Sequence, residues 1–200
     1  MYVDILVLAH LTGAPAHGYE IKKRVQQTLG SDVAINNNIL YPALRRFEEM
    51  GAVEHVLERV VERQSGRPDR HVYRLTDRGE EVLQGLLREF PPALARDDDE
   101  FHTRVAFFDL LDAPGRRDIL RAREAALRER LAHYDHVIST YFADIQESPD
   151  APTRAEHANF PYGLRVVRFL GGQLRQELEW IATLAHDVEP EPTSVSGSDS

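Results

Sequence analysis

The sequence predicts a mainly α-helical chain with one small β-hairpin, split into two parts of different character. Three observations carry this prediction. Apolar residues recur at three- and four-residue steps through most of the chain. The period becomes strand-like only around residues 53–75. Glu89-Phe90-Pro91-Pro92 then interrupts the helical pattern near the midpoint, because proline lacks a donor and its ring clashes with the preceding turn. The expected boundaries are 1–90, 91–188 and a polar, Pro/Ser-rich tail, 189–200, too poor in apolar residues to order itself. At 42% hydrophobic and 28% charged, the 200 residues suffice for a real core.

The elements follow in order. Val3 to Leu11 reads as a short apolar helix ending at Thr12-Gly13-Ala14-Pro15. Gly18 to Leu29 is amphipathic, with Ile21, Val25 and Leu29 one turn apart. A third helix starts near Asn36-Asn37-Asn38, where Asn is a favoured N-cap, and carries Leu40, Leu44, Phe47 and Met50 inward. It stops at Gly51, and Pro42 is expected in or near its first turn. Val53 to Val61 and His71 to Leu75 flank the turn cluster Gln64 to Asp69, forming a hairpin whose tip carries Arg63, Arg67 and Arg70. Thr76 caps a closing helix, Asp77 to about Phe90. Short helices followed by a basic hairpin predict a winged helix-turn-helix.

Charge sharpens the division. The net charge of −9 and pI near 5.5 would argue against a phosphate-binding protein. Residues 1–90, however, hold 12 basic against 13 acidic residues, and residues 91–200 hold 12 against 20. The net is therefore −1 in the first part and −8 in the second. Six arginines of the first part fall between Arg59 and Arg78, and local clustering decides a DNA footprint.

Leu40-Tyr41-Pro42-Ala43-Leu44 with Phe47-Glu48-Glu49-Met50-Gly51 resembles the recognition-helix signature of the PadR family of bacterial transcriptional regulators. His17-Gly18-Tyr19-Glu20-Ile21 resembles that family's second-helix motif. Gly66-Arg67-Pro68 with Tyr73-Arg74-Leu75-Thr76-Asp77-Arg78-Gly79 resembles its wing and following helix. The likeness covers about residues 3–88 and departs at Asn38-Ile39, where many members have Gly followed by Ser or Thr. It implies a homodimeric repressor, with a helical C-terminal dimerisation part, that leaves its operator when an effector binds, often a phenolic or another small organic compound.

If the third helix enters the major groove, Asn36, Asn37 and Asn38 face the bases, since an Asn amide matches adenine N6 and N7. Tyr41 is placed for a phosphate, and Arg45 and Arg46 for phosphate or guanine. Lys22, Lys23 and Arg24 sit where the second helix crosses the backbone, and Arg67 and Arg70 where a wing reaches the next groove. The competing reading makes the asparagines a loop and cap, with Arg45 and Arg46 paired to Glu48 and Glu49 on a solvated face.

In the second part, Asp112-Ala113-Pro114 opens a long helix bearing Leu120, Leu127, Leu131, Tyr134, Ile138, Tyr141 and Ile145 at heptad steps. Pro161 to Val188 carries a second seam that includes Leu174, Leu178 and Ile181. One partner is too little to cover both seams, so they are expected to build a homodimer interface; the alternative is a helical hairpin that covers itself. A dimer calls for a palindromic operator. Candidate effector contacts are Phe107, Phe108, Tyr141, Tyr162, Arg165 and Trp180.

Other classes find little support. His133-x-x-His136 with Asp135 lacks a third ligand at motif spacing, so neither metal nor cofactor is expected. Absence of cysteine excludes disulfides and thiolate chemistry, and no phosphate loop or nucleophile elbow marks an enzyme. No apolar run approaches the ~20 residues of a membrane span, and Met1 leads directly into Tyr2-Val3-Asp4 with no basic leader, so a cytoplasmic location is expected. The other-class alternative is a coiled-coil scaffold, which leaves the basic hairpin without a purpose.

Overall fold

The computed structural model describes residues 2–29, 35–58, 70–147 and 161–188. They fall into two compact units divided after Gly115. The fold is mostly helical with one three-stranded antiparallel sheet.

The first unit runs α1 (Tyr2–Ala9), β1 (Ala16–His17), α2 (Gly18–Leu29), α3 (Asn37–Glu49), β2 (Val53–Glu58), β3 (Arg70–Leu75), α4 (Asp77–Arg88), α5 (Pro92–Ala95), α6 (Asp98–Ala106) and a 3-10 turn (Phe108–Leu110). Helix α1 is apolar on nearly all sides, so it becomes the central post: Ile5, Leu6, Val7 and Leu8 are fully buried. Packing on it are α2, α3, α4 and α6. The hairpin pairs Val53 with Leu75 through Glu58 with Arg70, and Glu54 and Arg74, directly opposite, form a 2.7 Å ion pair. Strand β1, too short for any periodic signal, pairs Ala16 with Tyr73 on the other edge of β3.

Four local differences from the sequence reading have physical causes. Met50 is half-exposed rather than inward, because it is the C-cap after the last full turn of α3 and Gly51 (φ 68°) turns the chain away behind it. Pro42 stands in the second turn of α3, not the first. The carbonyl it leaves without a donor, that of Asn38, lies at the exposed start of the helix. Helix α4 ends at Arg88, with Glu89 extended ahead of the prolines. Segment 92–110, which carries no long apolar period, folds as α5, α6 and the 3-10 turn within the first unit.

Buried Arg104 holds that segment in place. Its guanidinium donates to the carbonyls of Leu86 (3.0 Å), Leu87 (3.2 Å) and Glu89 (2.9 Å), closing the C-terminus of α4. It also pairs with Glu100 at 2.6 Å and lies 4.7 Å from the Phe90 ring centroid. The other oxygen of Glu100 accepts the Tyr2 amide at 2.8 Å, anchoring the start of α1. Burial raises the Glu100 pKa, but these hydrogen bonds outweigh it and hold the carboxyl below its ordinary value.

The second unit is built from α7 (Ala113–Glu147), all but its first three residues, and α8 (Pro161–Val188), which run antiparallel. Asp112 caps α7 by accepting from the Gly115 amide. Buried Arg123 meets Glu177 at 2.7 Å, and Arg175 meets Asp135 at 2.9 Å. The seam expectation changes here. Leu120, Leu127, Leu174 and Ile181 are buried within one chain, and Leu131, Tyr134, Ile138 and Leu178 are half-buried. The first four are covered without a second copy, and the other four keep part of their surface. The side chains of Tyr141 and Ile145 lie outside the described set.

Candidate nucleic-acid interface

Helix α3 separates its faces sharply. Leu40, Ala43, Leu44 and Phe47 are buried, whereas Asn36, Asn37, Asn38, Tyr41, Arg45 and Arg46 are exposed. The 3.6-residue period explains the split, since 40, 43, 44 and 47 form one stripe. Asn36 is the N-cap: its side-chain oxygen accepts from the Ile39 amide at 3.1 Å. Its carboxamide oxygen is therefore engaged at home, leaving Asn37 and Asn38 as the less committed amides.

The two adjacent arginines have different fates. Arg46 is paired with Asp4 of α1, so it ties the exposed helix to the central post. Arg45, one position earlier and rotated by about 100°, has no ion-pair partner among the described residues and points from the same side as Tyr41. Neither pairs with Glu48 or Glu49; Glu48 instead meets His55 on β2. Tyr41, Arg45, Glu48, His55 and Tyr73 line a recess of about 150 Å³ between α3 and the sheet. Burial, with lesser contributions from Glu48 and Tyr41, raises the Tyr73 pKa.

Helix α2 supports α3 from beneath. The Tyr41 ring lies so close to Gly18 that an added Cβ would sit 3.1 Å from its hydroxyl. The Glu20 carboxylate accepts the His17 amide at 2.8 Å, fixing the start of α2, and that bond is the main reason its pKa falls. Lys23 is exposed and Lys22 half-exposed, whereas Arg24 is spent on the His10 carbonyl at 2.9 Å. Arg67, with Arg59 and Arg63, lies outside the described residues, as does the side chain of Arg70.

Residues 7–85 match the family model described as the transcriptional regulator PadR-like family. Over this stretch the chain is similar to that family. The family is one of transcriptional regulators, not of enzymes. A comparison with curated protein sequences gave no match. Among solved structures, a PadR family regulator from Clostridium difficile is 28% identical, covering 45% of this chain and 88% of that one, with a TM-score of 0.37. Bacillus subtilis PadR in complex with operator DNA is 17% identical over 94% of this chain and 97% of that one, with a TM-score of 0.40. The same protein with p-coumaric acid is 16% identical over 95% and 100%, with a TM-score of 0.39.

The PadR-like motifs acquire physical reasons in this fold. Thr76 Oγ1 accepts from the Gly79 amide at 3.0 Å and donates to the Gly51 carbonyl at 2.7 Å, so one hydroxyl joins both ends of the hairpin to α4. Gly79 is required because α4 passes directly over the Ala52 carbonyl. Sequence reasoning missed Gly18, His55 and Tyr73 as neighbours of the exposed face; only the fold brings them to Tyr41.

The candidate effector residues are spread over both units. Phe108 is core in the first unit, and Phe107 meets the His10 ring edge-on at 5.4 Å. Tyr162, Arg165 and Trp180 all lie on α8, where eighteen residues put Tyr162 and Trp180 about 27 Å apart. One small ligand in one chain cannot touch both. Tyr162 is 74% exposed, with Arg165 above its ring. Among the described residues, no cluster of His, Asp or Glu is arranged to hold a metal ion, and no helix is long and apolar enough to cross a membrane.

Proposed function

We propose that this DNA-binding regulator acts as a homodimeric repressor that is released from its operator by a small organic effector. The observation carrying the DNA reading is the exposed face of α3. Asn37, Asn38, Tyr41 and Arg45 project from a helix whose opposite side is locked by Leu40, Leu44 and Phe47, and Lys22 and Lys23 stand on the neighbouring helix. Asparagines suit base edges, while Tyr41, Arg45 and the lysines suit phosphates. Arg67 and Arg70 are assigned to the wing's contact with an adjacent groove.

The dimer reading rests on what α8 leaves uncovered. Tyr162, Val166 and Phe169 follow one another at steps of four and three and are 74%, 54% and 64% exposed. Such a stripe fits a second copy, which would set two α3 helices against a palindromic operator. Repression and effector release follow from the family resemblance.

A gel-shift titration against DNA upstream of the chain's own gene tests the proposal. A salt-sensitive complex is expected, weakened roughly uniformly across sequences by Arg45→Ala and selectively by Asn37→Ala or Asn38→Ala. Absence of any complex at low salt overturns the DNA assignment, and a 22.8 kDa species on sizing overturns the dimer.

A further inference from the structure

Between α7 and α8 lies a groove of about 190 Å³ that the regulatory reading does not use. One side comes from a single stripe of α7: Arg117, Leu120, Arg121 and Glu124, at i, i+3, i+4 and i+7. The other side is Ile181, Ala182 and Ala185 of α8. Leu120 and Ile181, each 3% exposed, make an aliphatic floor. The space exists because Ala182 and Ala185 present only methyl groups where larger residues would close the helices together. Among the described residues, no aromatic side chain lines it.

The rim is cationic, and its cations are lightly engaged. Arg117 is half-buried and has no ion-pair partner among the described residues. Among the described residues, Arg121 has only a loose pair with Asp118, at 3.8 Å with both side chains about three-quarters exposed, worth little in water. Glu124, the one acidic lining residue, is held along the helix by Arg128 at 2.7 Å. Two guanidiniums one turn apart over an aliphatic floor suit a carboxylate with a saturated tail. They do not suit a cation.

We infer that this groove binds a free short- to medium-chain aliphatic carboxylate, with Arg117 and Arg121 on the head group and Leu120, Ile181, Ala182 and Ala185 around the tail. Any effect of that ligand on operator release rests on the repressor reading above. Binding itself does not, so calorimetry on the full chain without DNA tests the site alone.

The probes are acetate, butanoate, hexanoate and octanoate, with hexylamine and hexanol as controls. Affinity is expected to rise about fourfold per methylene until the groove is full, as burial of each added CH₂ requires. Both controls should bind at least tenfold more weakly than hexanoate. Arg117→Gln with Arg121→Gln should lower hexanoate affinity at least tenfold, and Ala185→Leu should abolish binding by filling the groove. Circular dichroism confirms that each variant remains helical. No saturable binding of any chain length at millimolar concentration overturns the site. So does hexanoate binding that is unchanged in the double arginine variant and in Ala185→Leu. If the wild type binds but operator affinity does not respond, the site stands and the effector reading of it fails.

Discussion

Two glycines on one helix should respond oppositely to the same substitution. Helix propensity by itself favours Gly→Ala by about 1 kcal/mol at an interior helical position. At Gly79, in the first turn of α4, a Cβ would lie 2.0 Å from the Ala52 carbonyl oxygen and 2.6 Å from Leu75 Cδ1. Rotation of a side chain does not relieve the first contact, because the obstacle is backbone. The helix must retreat by about 1 Å to restore the 3.0 Å below which real Cβ contacts are essentially never found. Overpacking of this kind costs about 1–3 kcal/mol. The retreat also strains the Thr76 bonds to Ala52 (3.1 Å) and Gly51 (2.7 Å), each worth about 1 kcal/mol. Offsetting the propensity gain, Gly79→Ala should destabilise by about 3 kcal/mol. Gly85, two turns on, is exposed with nothing within 4 Å of the new methyl. Gly85→Ala should therefore stabilise by up to about 1 kcal/mol. Urea unfolding of the full chain, followed by circular dichroism, reads both, and linear extrapolation resolves a difference of this size. A neutral or stabilising Gly79→Ala, or equal effects at the two glycines, would refute the account of the hairpin–α4 junction.

Other consequences can be checked alongside it. Arg104→Met should cost about 3–5 kcal/mol in the same assay, because it strands buried Glu100 and removes the donor closing α4; a loss below 1 kcal/mol would deny it that role. Burial, followed by repulsion from Arg24, holds the His10 pKa down at about 4, from 6.5. The unfolded chain then binds more protons over this interval, so His10's stability contribution is complete above 6.5 and is lost as pH falls toward about 4. His10→Gln should flatten that part of the stability–pH profile, and an unchanged profile contradicts the assignment. Gly18→Ala pushes on Tyr41 at 3.1 Å; an exposed ring can yield, so stability should change little while operator affinity falls. Unaltered affinity in both Gly18→Ala and Tyr41→Phe would remove Tyr41 from the interface. Asn36→Ala deletes the N-cap of α3 and should cost about 1 kcal/mol by thermal denaturation, with no change in the fold.

Much of the first unit was legible because its signals are local. The 4-3 spacing of Leu40, Leu44 and Phe47, the capping residues Asn36 and Thr76, and Gly51 each act within a few residues of their own position. The bounds of α2 and α8 coincide with their apolar periods. Segment 92–110 was illegible for the opposite reason. It owes its place to Arg104, whose partners are carbonyls fifteen to eighteen residues away, and carbonyls leave no mark in a sequence. Arg45 and Arg46 illustrate the same limit. As letters they are equivalent, yet one is committed to Asp4, forty-two residues earlier, and the other stands clear.

Residue order alone carries the helical periods, the caps, the hairpin, the PadR-like motifs and the division of charge that leaves −1 in the first ninety residues. These are properties of neighbours along the chain. Packing across the fold fixes which cations are already spent, that Leu120, Leu127, Leu174 and Ile181 are buried within one chain, and that methyl-sized residues leave a groove under Arg117 and Arg121. Periodicity says that a face must be buried but not against what. That choice is made by packing, where geometry across the fold, rather than order along the chain, settles who meets whom.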